Sequence, residues 1–320
     1  CLEVVKNTLF NIKYYKKMKN KYVLSLDGGG VRALSSVIFL NKLEKKLKTP
    51  LHKKFDLFIG TSAGAVSCLA LTVNKMDTNQ LLEFWSRENL NKILPNSSWE
   101  MRTNNLKSAF GLRRYGSKYD DEGKLILLKN YFEEKKMSES AKPVCALCYD
   151  VEKRKPVILS NFNNPDLLVV DVANATSAAP TYFPTARVKE KFLIDGAIVA
   201  NHPSLHGFVE ARKIYPNAKI KVLSIGTGLD RKPIPGEESQ SWGTIGWLRN
   251  NLFGLMAESS LDHELAEGIL GEDYLRVNSE LKDINPQLDD NSKENIEKII
   301  EMGNSWWKIY GEKSLNLIND

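Results

Sequence analysis

Short apolar runs alternate with longer amphipathic stretches along most of this chain. "YVLSL" at 22–26 is a compact apolar run that ends at Asp27-Gly28-Gly29-Gly30, the pattern of a strand running into a glycine turn. Residues 33–47 follow with Leu34, Val37, Ile38, Leu40 and Leu47 at helical spacing and lysines on the other side. "FDLFIG" then predicts a second buried strand, and Ala63 to Val73 a buried helix. Strand, helix, strand, helix predicts a parallel sheet covered on both faces. Beyond it, helices are expected over Thr78–Leu90, Lys124–Phe132, Leu168–Ser177 and Leu205–Lys213, with 94–120 as a loop-rich excursion. Strands are expected at 143–149, 156–160, 191–195 and 219–228. The remainder reads as mainly helical, with one short strand at 274–277. No repeat or linker stands out. The expected division is a basic segment 1–21, one α/β domain 22–285, and a C-terminal helix 286–320 packing on that domain.

The stretch from Leu57 to Val73 carries no charge, which raises the question of a membrane span. A spanning helix needs about 20 apolar residues. This run is shorter and is interrupted by Gly60, Thr61, Ser62 and Gly64, so it reads as soluble core. The 320 residues are 42% hydrophobic and 26% charged, an ordinary globular balance, with a net charge of +6. The excess is uneven, with Lys13, Lys16, Lys17, Lys19 and Lys21 crowding the start. Such a segment is ordinarily solvated, and it can also touch anionic lipid. No zinc-finger spacing or RNA-binding signature accompanies it, which sets nucleic acid aside as a partner. "SWGTIGWLRNNLFGLM" at 241–256, with Trp242, Trp247 and Phe253, reads either as a helix covering the sheet or as a lipid-facing surface. No secretory signal pattern is seen, and export is left undecided.

Cys145 and Cys148 have redox spacing, but "PVCALCYD" reads as a strand, on which residues three apart face opposite ways. Redox or metal chemistry is therefore not expected there. Gly60-Thr61-Ser62-Ala63-Gly64 is more informative, because Gly-x-Ser-x-Gly between a strand and a helix is the arrangement of a nucleophile elbow. Gly60 and Gly64 allow the sharp turn, and Ser62 is left at the start of a helix whose amides favour developing negative charge. Gly28, Gly29 and Gly30 form a second signal, since successive bare amides can converge on an oxyanion. The dinucleotide fingerprint fails at Ala33, and no Walker lysine follows. A serine nucleophile needs a base. By order, His206 or His263 could complete a Ser-Asp-His triad, while Asp195 ends the apolar run "FLID" at a strand terminus.

Taken together, Asp27-Gly28-Gly29-Gly30-Val31-Arg32, Gly60-x-Ser62-x-Gly64 and Asp195-Gly196-Ala197 resemble the patatin-like phospholipase family. "SKYDDEGKL" (117–125), "ATSAAPTYFP" (175–184), "SIGTG" (224–228), "GLMAESSLDHE" and "DYLRVNSEL" extend the resemblance over roughly Tyr22 to Leu281. The resemblance implies a three-layer α/β fold with a central, mostly parallel sheet flanked by helices. It also implies a lipid acyl hydrolase without metal or cofactor, with Ser62 as nucleophile and Asp195 as general base. Gly28, Gly29 and Gly30 would form the oxyanion hole, and Arg32 would order that loop or meet a lipid phosphate. The implied partners are a phospholipid or lysophospholipid, a transient membrane surface, and an activator of unspecified kind. The implied location is cytoplasmic or peripheral to a membrane. Two positions depart from the family pattern: Ala33 stands where glycine is usual, and His202 follows Asn201 where Asn or Pro is usual. A Ser-His-Asp esterase using His202 or His263, and a lipid-binding or storage protein with incidental activity, are the competing readings.

Overall fold

The computed structural model describes residues 19–95, 117–243, 246–247, 254–255 and 262–319. Most of the basic N-terminal segment, of the 94–120 excursion and of the tryptophan-bearing 241–256 stretch lies outside the described residues.

Strands β1 (Asn20–Leu26), β2 (Leu57–Thr61), β3 (Val144–Asp150), β4 (Lys155–Ser160), β5 (Ala186–Val188), β6 (Lys191–Asp195), β7 (Lys219–Ile225) and β8 (Tyr274–Val277) form one sheet. Its order is β5-β6-β3-β2-β1-β7-β8, with β4 also pairing β3. The run β3-β2-β1-β7-β8 is parallel throughout. β4 and β6 are antiparallel to β3, so the sheet is mixed at one side rather than wholly parallel.

Both faces are buried, as continuous apolar strands require. Leu57 and Ile59 enter one core with Ala211, Ile220 and Tyr274, while Phe58 between them enters the other with Leu40, Leu69 and Trp306. That alternation is the two-residue period of a strand. Helices α1 (Ala33–Leu47), α2 (Ala63–Thr72), α3 (Thr78–Phe84), α4 (Arg87–Ile93), α5 (Glu122–Phe132) and α6 (Val169–Thr176) contribute to the Phe58 side. α7 (Ser204–Ile214) and α8 (Asp262–Leu270) supply the opposite layer, and α9 (Lys293–Asn319) returns to the Phe58 side. This is an α/β fold of three layers.

Most expected elements are present with shifted ends. The single helix expected over Thr78–Leu90 is instead two, α3 and α4, broken at Trp85–Ser86. The Ser86 side chain caps the second helix by accepting from Asn89 N at 3.4 Å. The buried Trp85 donates through Nε1 to Ser67 Oγ at 2.9 Å, fixing the break against α2. Strand β7 stops at Ile225, three residues earlier than its apolar run suggested, because the chain turns toward the glycine loop. β5 has only three residues and gave no periodic signal.

α9 packs along α1 and against the end of β8. Trp306 is fully buried there and donates through Nε1 to Ser279 Oγ at 2.9 Å, while Phe39 and Trp307 meet edge to face at 5.6 Å. We expect Trp306→Ala to lower stability in urea unfolding by about 3–5 kcal/mol. Trp306→Phe keeps most of the packing and should cost nearer 1 kcal/mol, the scale of one lost hydrogen bond.

Candidate active site

The site forms where two strands end against each other. β3 has β4 along one edge, over Cys145–Asp150, so its other edge is shared by β2 and β6. β2 runs parallel to β3 and ends with Thr61 opposite Leu147, whereas β6 runs antiparallel and ends with Asp195 opposite Cys148, the next residue. Ser62 follows Thr61, so the serine and the carboxylate arrive side by side from opposite directions. Asp195 does sit at a strand's C-terminal end, but on the antiparallel strand.

Ser62 has φ 53° and ψ −128°, a conformation that costs a non-glycine residue about 1–3 kcal/mol. The neighbouring glycines make the turn sterically feasible. A Cβ on Gly60 would lie 2.3 Å from Ala65 N, and one on Gly64 2.3 Å from Leu26 O. Ser62 is partly exposed, and its own amide donates to Thr176 Oγ1 at 3.1 Å. Thr176 in turn donates to Leu147 O at 2.6 Å, tying the elbow to β3.

Asp195 is 1% exposed. Burial pushes its carboxyl up to about 6, against the opposing pull of the Ser62 hydroxyl hydrogen bond, the Ala197 amide and the Lys124 ammonium. Ala197 N donates to Oδ1 at 2.9 Å. Lys124 is itself buried, and burial brings its ammonium down to about 8 although Asp121 and Asp195 oppose that shift. Its Nζ donates to Ser177 O at 3.3 Å and sits 4.0 Å from the centre of the Phe183 ring. Three consecutive residues of "ATSAAPTYFP" thus serve the site: Thr176 holds Ser62, Ser177 holds Lys124, and Ala178 O accepts from Asp195 N at 3.1 Å.

The glycine loop begins at Asp27, also buried. Its carboxylate receives Arg276 Nη1 at 2.8 Å and Nη2 on the other oxygen, with His202 Nδ1 beside it. Burial alone would raise this carboxyl, but Arg276 and His202 hold it below the usual carboxylate range. Within the loop, Gly28 N donates to Asn201 O at 3.3 Å, and Val31 N to Leu288 O at 2.9 Å. The amides of Gly29 and Gly30 donate to no group among the described residues. Arg32 is 4% exposed and lines a hollow with Gly28, Gly29, Ser62, Asp195 and Gly254. A second, almost wholly apolar cavity opens from Ser62 and Ala63 toward Phe84, Trp85, Leu90 and Leu128.

The structure therefore brings together Gly28, Gly29, Gly30, Arg32, Ser62 and Asp195. Of the candidate histidines, His202 is engaged with Asp27, His263 Nδ1 lies 3.2 Å from Tyr274 Oη, and His206 stands in the first turn of α7. Cys145 and Cys148 are buried in the two different cores, with their thiols pushed up by burial. Among the described residues no acidic, histidine and cysteine cluster is suited to a metal ion. No described helix is long and apolar enough to cross a membrane. Sequence reading gave no role to Lys124, Thr176 or Arg276. Each stands in a segment that carried the family resemblance, which was the available signal.

Comparison with known proteins agrees with the motifs. The family model for patatin-like phospholipase matches residues 24–206. The chain is 27% identical over 344 aligned positions to Patatin-like protein 2 of Oryza sativa subsp. indica, covering 90% of this chain and 84% of that protein. It is 31% identical over 268 positions to a cGAMP-activated phospholipase of Pseudomonas aeruginosa, covering 80% and 77% respectively. Human GIVD cytosolic phospholipase A2 superposes with a TM-score of 0.49 at 11% identity, over 93% of this chain and 62% of that one.

The Asp27–Arg276 pair gives a stability prediction. Arg276→Met leaves a buried carboxylate short of its main partner and should cost about 3–5 kcal/mol in denaturant unfolding at neutral pH. Asp27 titrates below its unfolded value, so its contribution is complete above that value and is lost as pH falls through the depressed one. The difference between wild type and variant should accordingly shrink in acid.

Proposed function

Because the chain belongs to the patatin-like phospholipase family, we propose that it is a lipid acyl hydrolase in which Ser62 and Asp195 alone handle the proton and the acyl group. The observation that supports this reading is the junction of β2 and β6, where Ser62 and Asp195 end side by side next to an apolar cavity that Ser62 lines.

Ser62 Oγ attacks the ester carbonyl while its proton passes to Asp195. The carbonyl oxygen becomes an oxyanion, which the Gly29 and Gly30 amides receive, Gly28 being the residue that packs on Ser62. Collapse expels the alcohol, which takes the proton from Asp195 and leaves an acyl-enzyme. Asp195 then deprotonates a water that attacks the acyl carbon, and the fatty acid departs as Ser62 regains its proton. The acyl chain occupies the apolar cavity, and Arg32 supplies positive charge for a lipid phosphate in the adjoining hollow. Phospholipids and lysophospholipids fit an apolar cavity that adjoins a hollow lined by Arg32. The protein would meet them at a membrane surface. One relative is named for its activator, which supports looking for an activating ligand or partner here. The His202 and His263 contacts favour a dyad over a histidine triad.

Two experiments test the proposal. A fluorophosphonate probe should label wild type but not Ser62→Ala. Asp195→Asn should lose fatty-acid release from mixed phospholipid micelles by about 10²–10⁴-fold, the usual worth of a general base. Labelling and hydrolysis of Ser62→Ala at the wild-type level would remove Ser62 as nucleophile.

The second is a pH profile. Asp195 must be ionised to act as a base, and its carboxyl lies at about 6, so kcat/KM should rise with pH through about 6 and level off above it. Lys124 favours the ionised form, so Lys124→Met should move that rise to higher pH and Lys124→Arg should hold it in place. A rise that stays put in Lys124→Met would take Lys124 out of the mechanism.

A further inference from the structure

Resting on the Ser62 reading above, we infer that Thr227 is a positioning residue that fixes the direction of the Gly29 N–H toward the oxyanion. The Thr227 hydroxyl donates to Gly28 O at 2.7 Å, and Asn201 Nδ2 donates to the same oxygen at 3.3 Å. The described peptide bonds are all trans, so the carbonyl of residue 28 and the N–H of residue 29 point in opposite directions across one plane. Holding the carbonyl therefore aims the amide. With the carbonyl turned to Thr227, the amide points away from Thr227, and Gly29 itself lines the hollow shared by Gly28, Ser62, Asp195 and Asn201.

The anchoring matters because of the residues it acts on. A Gly-Gly peptide has little steric resistance to rotating as a unit. Turned over, this one would present a carbonyl dipole to the developing negative charge, and stabilisation would become repulsion. The threonine is well placed to prevent this. It is 2% exposed and packs so closely that a Cβ on Gly29 would lie 2.3 Å from its Oγ1. Its own loop is fixed on both sides: Ser36 Oγ donates to Gly226 O at 2.7 Å, Gly226 N to Val277 O at 2.8 Å, and Gly228 N to Asn278 Oδ1 at 2.9 Å. The strand ends of β7 and β8, distant in sequence from the glycine loop, thereby hold the loop's dipole.

The oxyanion donors are backbone groups that no side-chain substitution removes, and Thr227 offers a handle on them. The test compares wild type, Thr227→Val and Thr227→Ser on a 4-nitrophenyl fatty-acid ester, with a trifluoromethyl ketone bearing the same acyl chain as the tetrahedral mimic. Thr227→Val should lower kcat by about 10–100-fold, less than or equal to the loss of a whole oxyanion donor. KM should change little, and affinity for the ketone should fall by the same factor as kcat. Thr227→Ser, which restores the hydroxyl, should recover most of both. Should Thr227→Val fail to fold in a thermal melt, Thr227→Ala against Thr227→Ser makes the same comparison.

Wild-type kcat and ketone affinity in Thr227→Val would overturn the inference. So would a kcat loss that leaves ketone affinity unchanged or that Thr227→Ser does not restore, since either marks a role in packing alone. Ser62→Ala, run alongside, separates the two levels. Wild-type hydrolysis by that variant defeats the Ser62 reading, whereas inactive Ser62→Ala with an unaffected Thr227→Val defeats only the positioning role.

Discussion

β4 occupies one edge of β3 along Cys145–Asp150, so β2 and β6 divide the other, Thr61 facing Leu147 and Asp195 facing Cys148. Ladder hydrogen bonds set this placement, and a slip of one residue in either strand would turn its side chains to the opposite face. Ser62 and Asp195 lie far apart in sequence, yet each is only a residue or less beyond a registered pair. The strained backbone of Ser62 is held by the same structure. The Thr176 hydroxyl spans from the Ser62 amide to Leu147 O, the carbonyl of the residue that Thr61 faces. The elbow, its support and the carboxylate all depend on two adjacent residues of one strand.

Two buried carboxylates flank the glycine loop and Ser62, and their surroundings push them in opposite directions. Asp27 has a guanidinium and an imidazole against it and is kept ionised below the usual range. Asp195 has a hydroxyl, one amide and a more distant ammonium, which do not offset its burial, and it titrates at about 6. This difference separates their roles. A permanently charged, fully paired carboxylate makes a poor base and a good anchor, and Asp27 anchors the strand end from which the glycine loop departs. A carboxylate short of partners gains by taking a proton, which suits Asp195 to receiving one from Ser62. His202, a departure from the family pattern, belongs with Asp27 and not with Asp195.

Local pattern made the layers legible. α1 and β8 are present with the expected limits, and Gly60, Ser62 and Gly64 were interpretable because a sharp turn admits few residue types. The antiparallel entry of β6 was not legible, since "KFLID" reads the same in either direction of pairing. The break between α3 and α4 was hidden because Ser86 is an ordinary residue until its side chain is seen to cap. Lys124 was harder still. In "DDEGKL" a lysine among acids reads as solvated surface, and only the packing of α5 against the 175–184 segment removes it from water. Sequence motifs therefore marked out the glycine loop, Ser62 and Asp195, while the contacts that hold them came from the tertiary structure.

A carboxylate replaces the usual imidazole in this reading, and the apolar cavity is what makes the replacement workable. Near its ordinary value of about 4, an aspartate would hold a serine proton too weakly to be useful. Burial raises it part of the way. An acyl chain entering the cavity displaces water next to Ser62 and Asp195 and so acts further in the same direction. Lys124 opposes that trend by favouring the ionised carboxylate. The ammonium can do so without marring the acyl compartment, because its charge is turned to Ser177 O and the Phe183 ring. In this reading the cavity wall that would hold the fatty chain includes Lys124, Ser177 and Phe183, the side chains and backbone that bear on Asp195. A substitution that changes chain-length preference near Ser62 should not be expected to leave the base unaltered.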